Sequence, residues 1–438
     1  LLGVKIPNSC FEIAVFTVME LIKHFHNRFF PVFFHHKPSR PVMEKDKQIV
    51  LLCSNLMWMY IRDDVWKLPW ITLRMLNLSE RRTGQSFELG MSLVAYAEVC
   101  MGIPLFQRAL KYSRRALGIF REINNQFGLS HNLNCLASYY FLAGKSEESI
   151  KHYQQAKLLY QKLGDIGQLG FTLIGLGRLY YHTSDYTPGM VFLKQHLEIS
   201  RKYNDPPGIY KSLVYLAACY IETGDLQKAR DCLAEIQNLS PEGRLENHEA
   251  LYFTGYLELE RNNYQNAAES LELVKKVTRG NPFFKRDVAG LFSALAEARI
   301  RWFKGLSNKN LKIFKLELRH LFRLGREAIH ETRRWPIHHG GALRVMAQIY
   351  HLAGKNKTAE KYFLKSIASD QKANRRFELA KDYLEYGIFL KSIDKVKQAR
   401  ECRQKAYEIF TNIGAAANIQ KTNALFDETP GRNQLYDE

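Results

Sequence analysis

The feature that most constrains this chain is a ladder of small residues forty positions apart. Ala97, Ala137, Gly177 and Ala217 are each separated by 40 residues, Gly255 follows after 38, and Ala347 and Gly387 are again 40 apart. A second ladder runs twelve positions later, through Ala109, Ser149, Gly189, Ala229, Ala267, Ala359 and Ala399. Between these landmarks the apolar spacing is helical, as in Leu133, Leu136 and Tyr140 or Leu213, Leu216 and Tyr220. Two antiparallel helices in tight contact need a small residue where their axes approach most closely, with large neighbours filling the space beside it. One such hairpin cannot bury its apolar face alone, so successive hairpins must stack. The pattern therefore predicts an all-α chain.

The period also decides the meaning of "YYFLAGKSEESIKHYQQA" at 139–156, whose Gly144, Lys145 and Ser146 look like the tail of a phosphate-binding loop. That loop requires a glycine at position 139, where Tyr139 stands, and a strand leading into it. The phrase returns as "YHLAGKNKTAEKYFLKS" at 350–366. Gly144, Gly224 and Gly354 are then the left-handed residues that end the first helix of each hairpin, and Lys145 faces solvent.

"LASYYFLAGKSEESIKHYQQA", "LGRLYYHTSDYTPGMVFL" and "LAACYIETGDLQKARDCL" resemble the tetratricopeptide repeat in their L-G/A-x-x-Y…G…A spacing. The resemblance implies a right-handed α-solenoid of antiparallel helix hairpins, about eight to nine of them over residues 43–415. The 40-residue period resembles the subtype with extended second helices. The first hairpin departs from the pattern, with Met57 and Pro69 at the two small positions, and the hairpin at 283–334 is irregular. The whole-chain arrangement is similar to C-terminal repeat arrays of multidomain signalling proteins, which follow a STAND/AAA-type ATPase joined to an adenylate/guanylate cyclase or kinase domain. "LLGVKIPNS…ELIKHFHNRFFP" reads as the junction after such an upstream domain. The beginning without Met reads as that of a fragment or processed chain.

Enzymatic motifs do not survive inspection. "HEALY" at 248–252 has Tyr252 where a zinc-protease helix needs His, and "GLG" at 175–177 lacks the third glycine of a dinucleotide loop. "HHGG" at 338–341 reads as an entry turn between Pro336 and a helix at 342–352, because no GxSxG partner exists. Seven scattered cysteines without a CxxC pair argue against a disulfide framework and against a zinc site. His24, His26, His35 and His36 cluster early, with solvated or interfacial roles favoured over a metal. The expectation is no enzyme, no cofactor and no metal. A reducing compartment, the cytoplasm, follows from the unpaired cysteines, with peripheral membrane contact through residues 10–36 an open alternative.

Two surfaces remain for partners. Projecting the repeat pattern puts His131, Asn134, Ser138, Phe141, Arg178, Tyr181, His182, Lys211, Tyr215, Tyr252, Tyr256, Arg344, Gln348 and His351 on the concave face, where tyrosine and arginine suit a protein or peptide partner. The Lys/Asn clamp of chaperone-binding repeats cannot be placed. The second surface is basic. The chain carries 63 Lys and Arg against 44 Asp and Glu, a net charge of +19. Between Lys275 and Arg334 there are sixteen basic residues against five acids. Lys312, Lys315, Arg319, Arg323, Arg326, His330 and Arg333 form a stripe on one helix, with Leu311, Phe314, Leu318, Leu321 and Phe322 toward the other side. A solvated face is one reading; a site for an acidic partner, nucleic acid or anionic lipid is the other.

Residues 1–42 are expected to form an amphipathic docking helix, the junction to an upstream domain, with Phe11, Val15, Val18 and Ile22 as its buried stripe. Residues 416–438 are expected to be a polar tail whose closing stretch, "FDETPGRNQLYDE", is disordered. The leading function is a protein-interaction scaffold or sensor; the alternative is a basic solenoid binding nucleic acid or an anionic membrane through 275–334.

Overall fold

The computed structural model describes residues 5–29, 40–82, 85–103, 105–239, 248–279, 285, 287–305 and 311–424. Apart from one short 3-10 turn, every regular element among them is an α-helix, as the ladder predicts. The chain divides into two compact units, Leu1–Phe141 with Glu147–Thr172, and Leu142–Ser146 with Leu173–Glu438.

The first unit contains helices Cys10–Phe29, Arg40–Asp63 and Leu68–Arg82, then the pair Phe87–Gly102 and Phe106–Glu122, then most of Gln126–Leu142 and Ser146–Leu163. Trp70, Ile71, Met75, Leu76, Leu93 and Phe120 are fully buried at its centre. The Phe120 ring lies where side chains at Gly90 and Gly128 would stand, since a Cβ on either would meet it at 2.4 and 2.3 Å.

The second unit begins within helix Ile166–Thr183, which pairs with Tyr186–Lys202. Five further hairpins follow: Pro206–Thr223 with Leu226–Leu239, His248–Glu260 with Tyr264–Val277, Leu291–Lys304 with Leu311–Thr332, Pro336–Leu352 with Asn356–Lys372, and Arg376–Ser392 with Val396–Ile413. Helix Ala416–Ala424 closes the series.

The small-residue ladders sit at the helix crossings. Ala97, Ala137, Ala217, Ala347, Ala229, Ala267 and Ala359 are completely buried. Ser149 donates its hydroxyl to the Ala137 carbonyl at 2.7 Å, so even the polar member of the ladder is satisfied across a crossing. A Cβ at Gly177 would stand 2.5 Å from Leu193, and one at Gly255 would stand 2.7 Å from Leu271. The turns use left-handed residues at equivalent places: Gly144, Gly224 and Gly354 as expected, with Asn124, Ser184, Asn204, Asn262, Asn374 and Asp394 elsewhere. Lys145 is exposed beside its turn.

Four readings are set beside the structure. Within the described residues helix Cys10–Phe29 leaves the expected stripe uncovered: Phe11 is 78% and Ile22 63% exposed, with Val15, Val18 and Phe25 exposed as well. It docks through Ile13, through Phe16 against Trp70, and through polar groups. Asn77 donates to the Glu20 carbonyl and carboxylate, both at 2.8 Å, and His24 bonds to the Tyr112 hydroxyl at 3.0 Å. The partner surface offers Arg74, Asn77 and Glu80, so the polar edge of the helix finds the matching chemistry. The first array helix begins at Arg40, three residues before the expected boundary. The expected tail starts as a helix, because Gly414 (φ 72°) turns the chain and Ile419 then packs on the core while Lys421 pairs with Glu260. Residues 425–438 lie outside the described residues. The "HHGG" stretch belongs to helix Pro336–Leu352, with Pro336 in its first turn, where proline's missing N–H costs nothing. Among the described residues, no helix is long and apolar enough to cross a membrane.

Candidate functional site

The first helices of the hairpins in the second unit present their side chains to a shared interior. Their curvature brings the start of the unit back to its end. Arg376 donates from Nε to the Thr183 carbonyl at 3.0 Å and pairs with Asp185, while the Phe377 amide donates to the Ser184 hydroxyl at 2.9 Å. Tyr186 and Phe377 meet edge to face, centroids 6.4 Å apart. Residues 193 positions apart thus form a seam, which closes the interior on one side.

What lies inside is polar and aromatic, around a cavity of about 40 Å³, room for a few water molecules. Tyr181, His182, Tyr215, Tyr252, Tyr256 and Arg344, all expected on the concave face, line it together. So do five carboxylates, Glu222, Asp287, Glu297, Asp370 and Glu378, against two guanidiniums, Arg344 and Arg375. Arg344 is 3% exposed and donates to Asp382 at 2.7 Å and to Glu378 at 2.6 Å. Arg375 donates to Nδ1 of His182 at 2.5 Å. A guanidinium has no acceptor, so His182 must be neutral with its proton on Nε2. Tyr181 donates to Glu222 at 3.3 Å, and its ring packs edge to face on Phe253.

A second knot of charge continues the network. Arg178 lies over the Tyr215 ring at 5.2 Å and 3.7 Å from Asp287. Tyr215 donates to Glu249 at 3.0 Å, and Lys211 pairs with the same carboxylate.

The electrostatics follow from burial, with Asp287, Glu297 and Glu378 ion-paired and Glu222 and Asp370 outside those pairs. Burial lifts the Glu222 carboxyl well above its ordinary range, the cation of Lys381 only partly opposing it. Burial likewise raises Asp370, with the Asp382 charge adding to the effect, and one of its oxygens has no hydrogen-bond partner. Glu378 behaves oppositely: burial works to raise it, but Arg344, Lys381 and Arg375 together hold it far below the usual carboxylate range. Burial and the nearby Arg375 push His338 down to about 3. The site is thus a set of carboxylates of which two resist ionisation, beside two neutral imidazoles.

The other expected residues go elsewhere. Gln348 donates to Glu385 at 2.7 Å, and His351 bonds to Asn356 at 3.0 Å. In the first unit His131 is buried and stacked on Phe127, Asn134 accepts from Thr172 at 3.1 Å, Ser138 bonds to Tyr153 at 2.9 Å, and Phe141 is buried. The acids were missed. Glu222 and Glu378 carry no local signal beyond being charged residues on first helices.

The basic stripe lies on helix Leu311–Thr332 with Lys312, Lys315, Arg319, Arg323 and Arg326 exposed, and Arg333 just beyond it. Phe314, Leu318 and Phe322 are half-buried and Leu321 is buried, on the side expected; Leu311's side chain lies outside the described set. Leu316, 69% exposed, stands among the cations with Ile313.

Residues 128–202 match the model of the tetratricopeptide repeat. That stretch is of the tetratricopeptide-repeat type. The Rap protein complexed with competence and sporulation factor shares the fold of these repeats at TM-score 0.60 and 12% identity, over 84% of this chain and 99% of that one. The apo quorum sensor NprR of B. thuringiensis does so at TM-score 0.52 and 11% identity, over 83% and 99%. A STAND protein with a tetratricopeptide-repeat sensor from Pyrococcus horikoshii matches at TM-score 0.47 and 15% identity, over 84% of this chain and 54% of that one. No curated protein sequence matches the chain.

Proposed function

We propose that this repeat chain is a non-catalytic recognition module that binds a segment of a protein partner in the interior of the second unit, anchored by a basic side chain of that partner. The observation that carries the reading is the pair Glu222 and Asp370 on the interior wall: Asp287 is met by Arg178, Glu297 by Arg301 and Lys381, and Glu378 by Arg344, whereas among the described residues these two carboxyls stand outside the ion pairs. A cation entering there gives Glu222 and Asp370 the counter-charge they lack and stacks among Tyr181, Tyr252 and Tyr256. Entry requires the seam between Thr183–Tyr186 and Arg375–Phe377 to part, so binding is coupled to opening. The Rap structure, solved in complex with competence and sporulation factor, supports the use of such a fold for ligand recognition. The same coupling makes the chain a sensor that reports to a signalling domain of its own polypeptide, the ATPase-linked arrangement that the sequence resemblance implies.

Selection of a displayed random-peptide library on the purified chain tests this. Enriched peptides are expected to share an Arg or Lys whose replacement by Gln weakens binding at least ~10-fold, about 1.4 kcal/mol. Glu222→Gln with Asp370→Asn is expected to abolish the preference, and Lys312/Lys315/Arg319/Arg323→Glu to leave it intact. Enriched peptides without a cation, or loss only in the stripe variant, would sink the reading. The latter result supports the second reading, in which the exposed cations with Ile313 and Leu316 bind an acidic protein, nucleic acid or anionic lipid; its mark is affinity falling steeply with salt.

A further inference from the structure

The first unit holds a cluster that the repeat architecture does not call for. His131 and Cys135 are one helical turn apart on Gln126–Leu142, so their side chains share a face, and Glu98 faces them from Phe87–Gly102. One ligand atom from each of the three lies within 4.8 Å of the other two. The Cys135 thiol donates to the Glu98 carboxylate at 3.0 Å. His131 is more than nine-tenths buried, and its Nδ1 has no hydrogen-bond partner. A thiol, an imidazole and a carboxylate packed together are poor company for helix crossings, where the ladders otherwise place alanine, serine and glycine. Glu98 and His131 also line a cavity of about 210 Å³, bordered by Val50, Met57, Phe87 and Phe127.

We propose that Glu98, His131 and Cys135 form a divalent-cation site, suited to zinc, with its fourth coordination position opening on that cavity. The donor set decides the metal: thiolate and imidazole select a borderline-soft ion over magnesium or calcium, which want oxygen alone. Zinc takes Cys sulfur at about 2.3 Å, His nitrogen at about 2.0–2.1 Å and carboxylate oxygen at about 2.0–2.2 Å. Tetrahedral donors at those lengths stand about 3.3–3.8 Å apart, so the three groups close on the ion by side-chain rotation. On binding, the zinc–sulfur bond forms as the S–H bond breaks, and the proton leaves to solvent. The metal then takes the place of that proton between Cys135 and Glu98. Three protein ligands with an open fourth place are the arrangement of a zinc that holds water or an incoming donor rather than a closed structural site. The site runs against the expectation of no metal: scattered cysteines speak against a cysteine-paired zinc site, whereas this one is assembled from two helices and three residue types.

The test is a titration of the full chain, stripped with chelator, by Co²⁺ followed optically and by Zn²⁺ followed by thermal melting. Expected is saturation at one equivalent, with a thiolate-to-cobalt charge-transfer band, and a melting temperature raised by Zn²⁺. Cys135→Ser should lose the charge-transfer band, while Cys219→Ser, a buried cysteine of the other unit, should keep it. Glu98→Gln preserves shape and should weaken Co²⁺ binding at least ~10-fold, giving a readout even if Cys135→Ser folds poorly. A charge-transfer band that persists in Cys135→Ser, an affinity unchanged in Glu98→Gln, or no saturable binding to the wild type would overturn the proposal and leave a packed thiol–carboxylate contact.

Discussion

Glu222 shows how one residue's environment becomes a measurable quantity. Its carboxyl is enclosed, lies near other acids and is held above its unfolded value by burial first of all. The folded chain therefore binds the proton more tightly than the unfolded chain. That preference contributes stability fully below the ordinary glutamate range, and stability is lost as pH rises toward the folded value. Glu222→Gln keeps an oxygen for the Tyr181 hydroxyl and removes the titration. The variant is expected to melt higher than wild type at pH 8 and to gain much less at pH 4.5, read by thermal denaturation at the two values. Equal gains would mean that the carboxyl is not perturbed. His338 carries the opposite sign. Burial depresses it to about 3, so its neutral form is required, and stability falls as pH drops from about 6.5 toward 3.

At the scale of the helix pair, the glycines of the ladder are not interchangeable with those elsewhere. Gly177→Ala puts a Cβ 2.5 Å from Leu193 at a crossing, whereas a Cβ at Gly118, mid-helix in Phe106–Glu122, meets nothing within 4 Å. The first change is expected to cost about 1–3 kcal/mol by overpacking, the second to gain about 0.5–1 kcal/mol from helix propensity. Urea denaturation of the two variants measures both, and a neutral Gly177→Ala would refute the role given to the small positions. This part of the fold was legible in the sequence because a crossing imposes a size limit at a fixed period. The docking of Cys10–Phe29 was not legible: amphipathicity shows which face is apolar, while the partner chosen depends on Arg74, Asn77 and Glu80, far along the chain. The interior was half legible. Repeat geometry indicated Tyr181, Tyr215 and Arg344, but the meaning of Glu222, Asp370 and Glu378 comes from apposition across the seam, which no local pattern encodes.

For the second unit as a whole, the seam changes the kind of object the repeats make. Hairpins that touch only their neighbours unfold from the ends, one at a time. Here Arg376 and Phe377 hold Thr183, Ser184 and Asp185, and Lys421 pairs with Glu260. Arg376→Ala removes the ion pair and the carbonyl bond together. It is expected to speed hydrogen exchange of amides on both sides, around 183–190 and 376–384, as one block. Acceleration confined to the residues next to 376 would show that the seam is only a contact.

In kinetic terms a join between positions so distant in sequence must await the ordering of the hairpins that separate them, so it is a late event in folding and an early one in opening. An open chain of repeats has two fraying ends. Once joined, the first and last hairpins fray only after the join breaks, and the slowest step of unfolding is set by a handful of side chains rather than by the core.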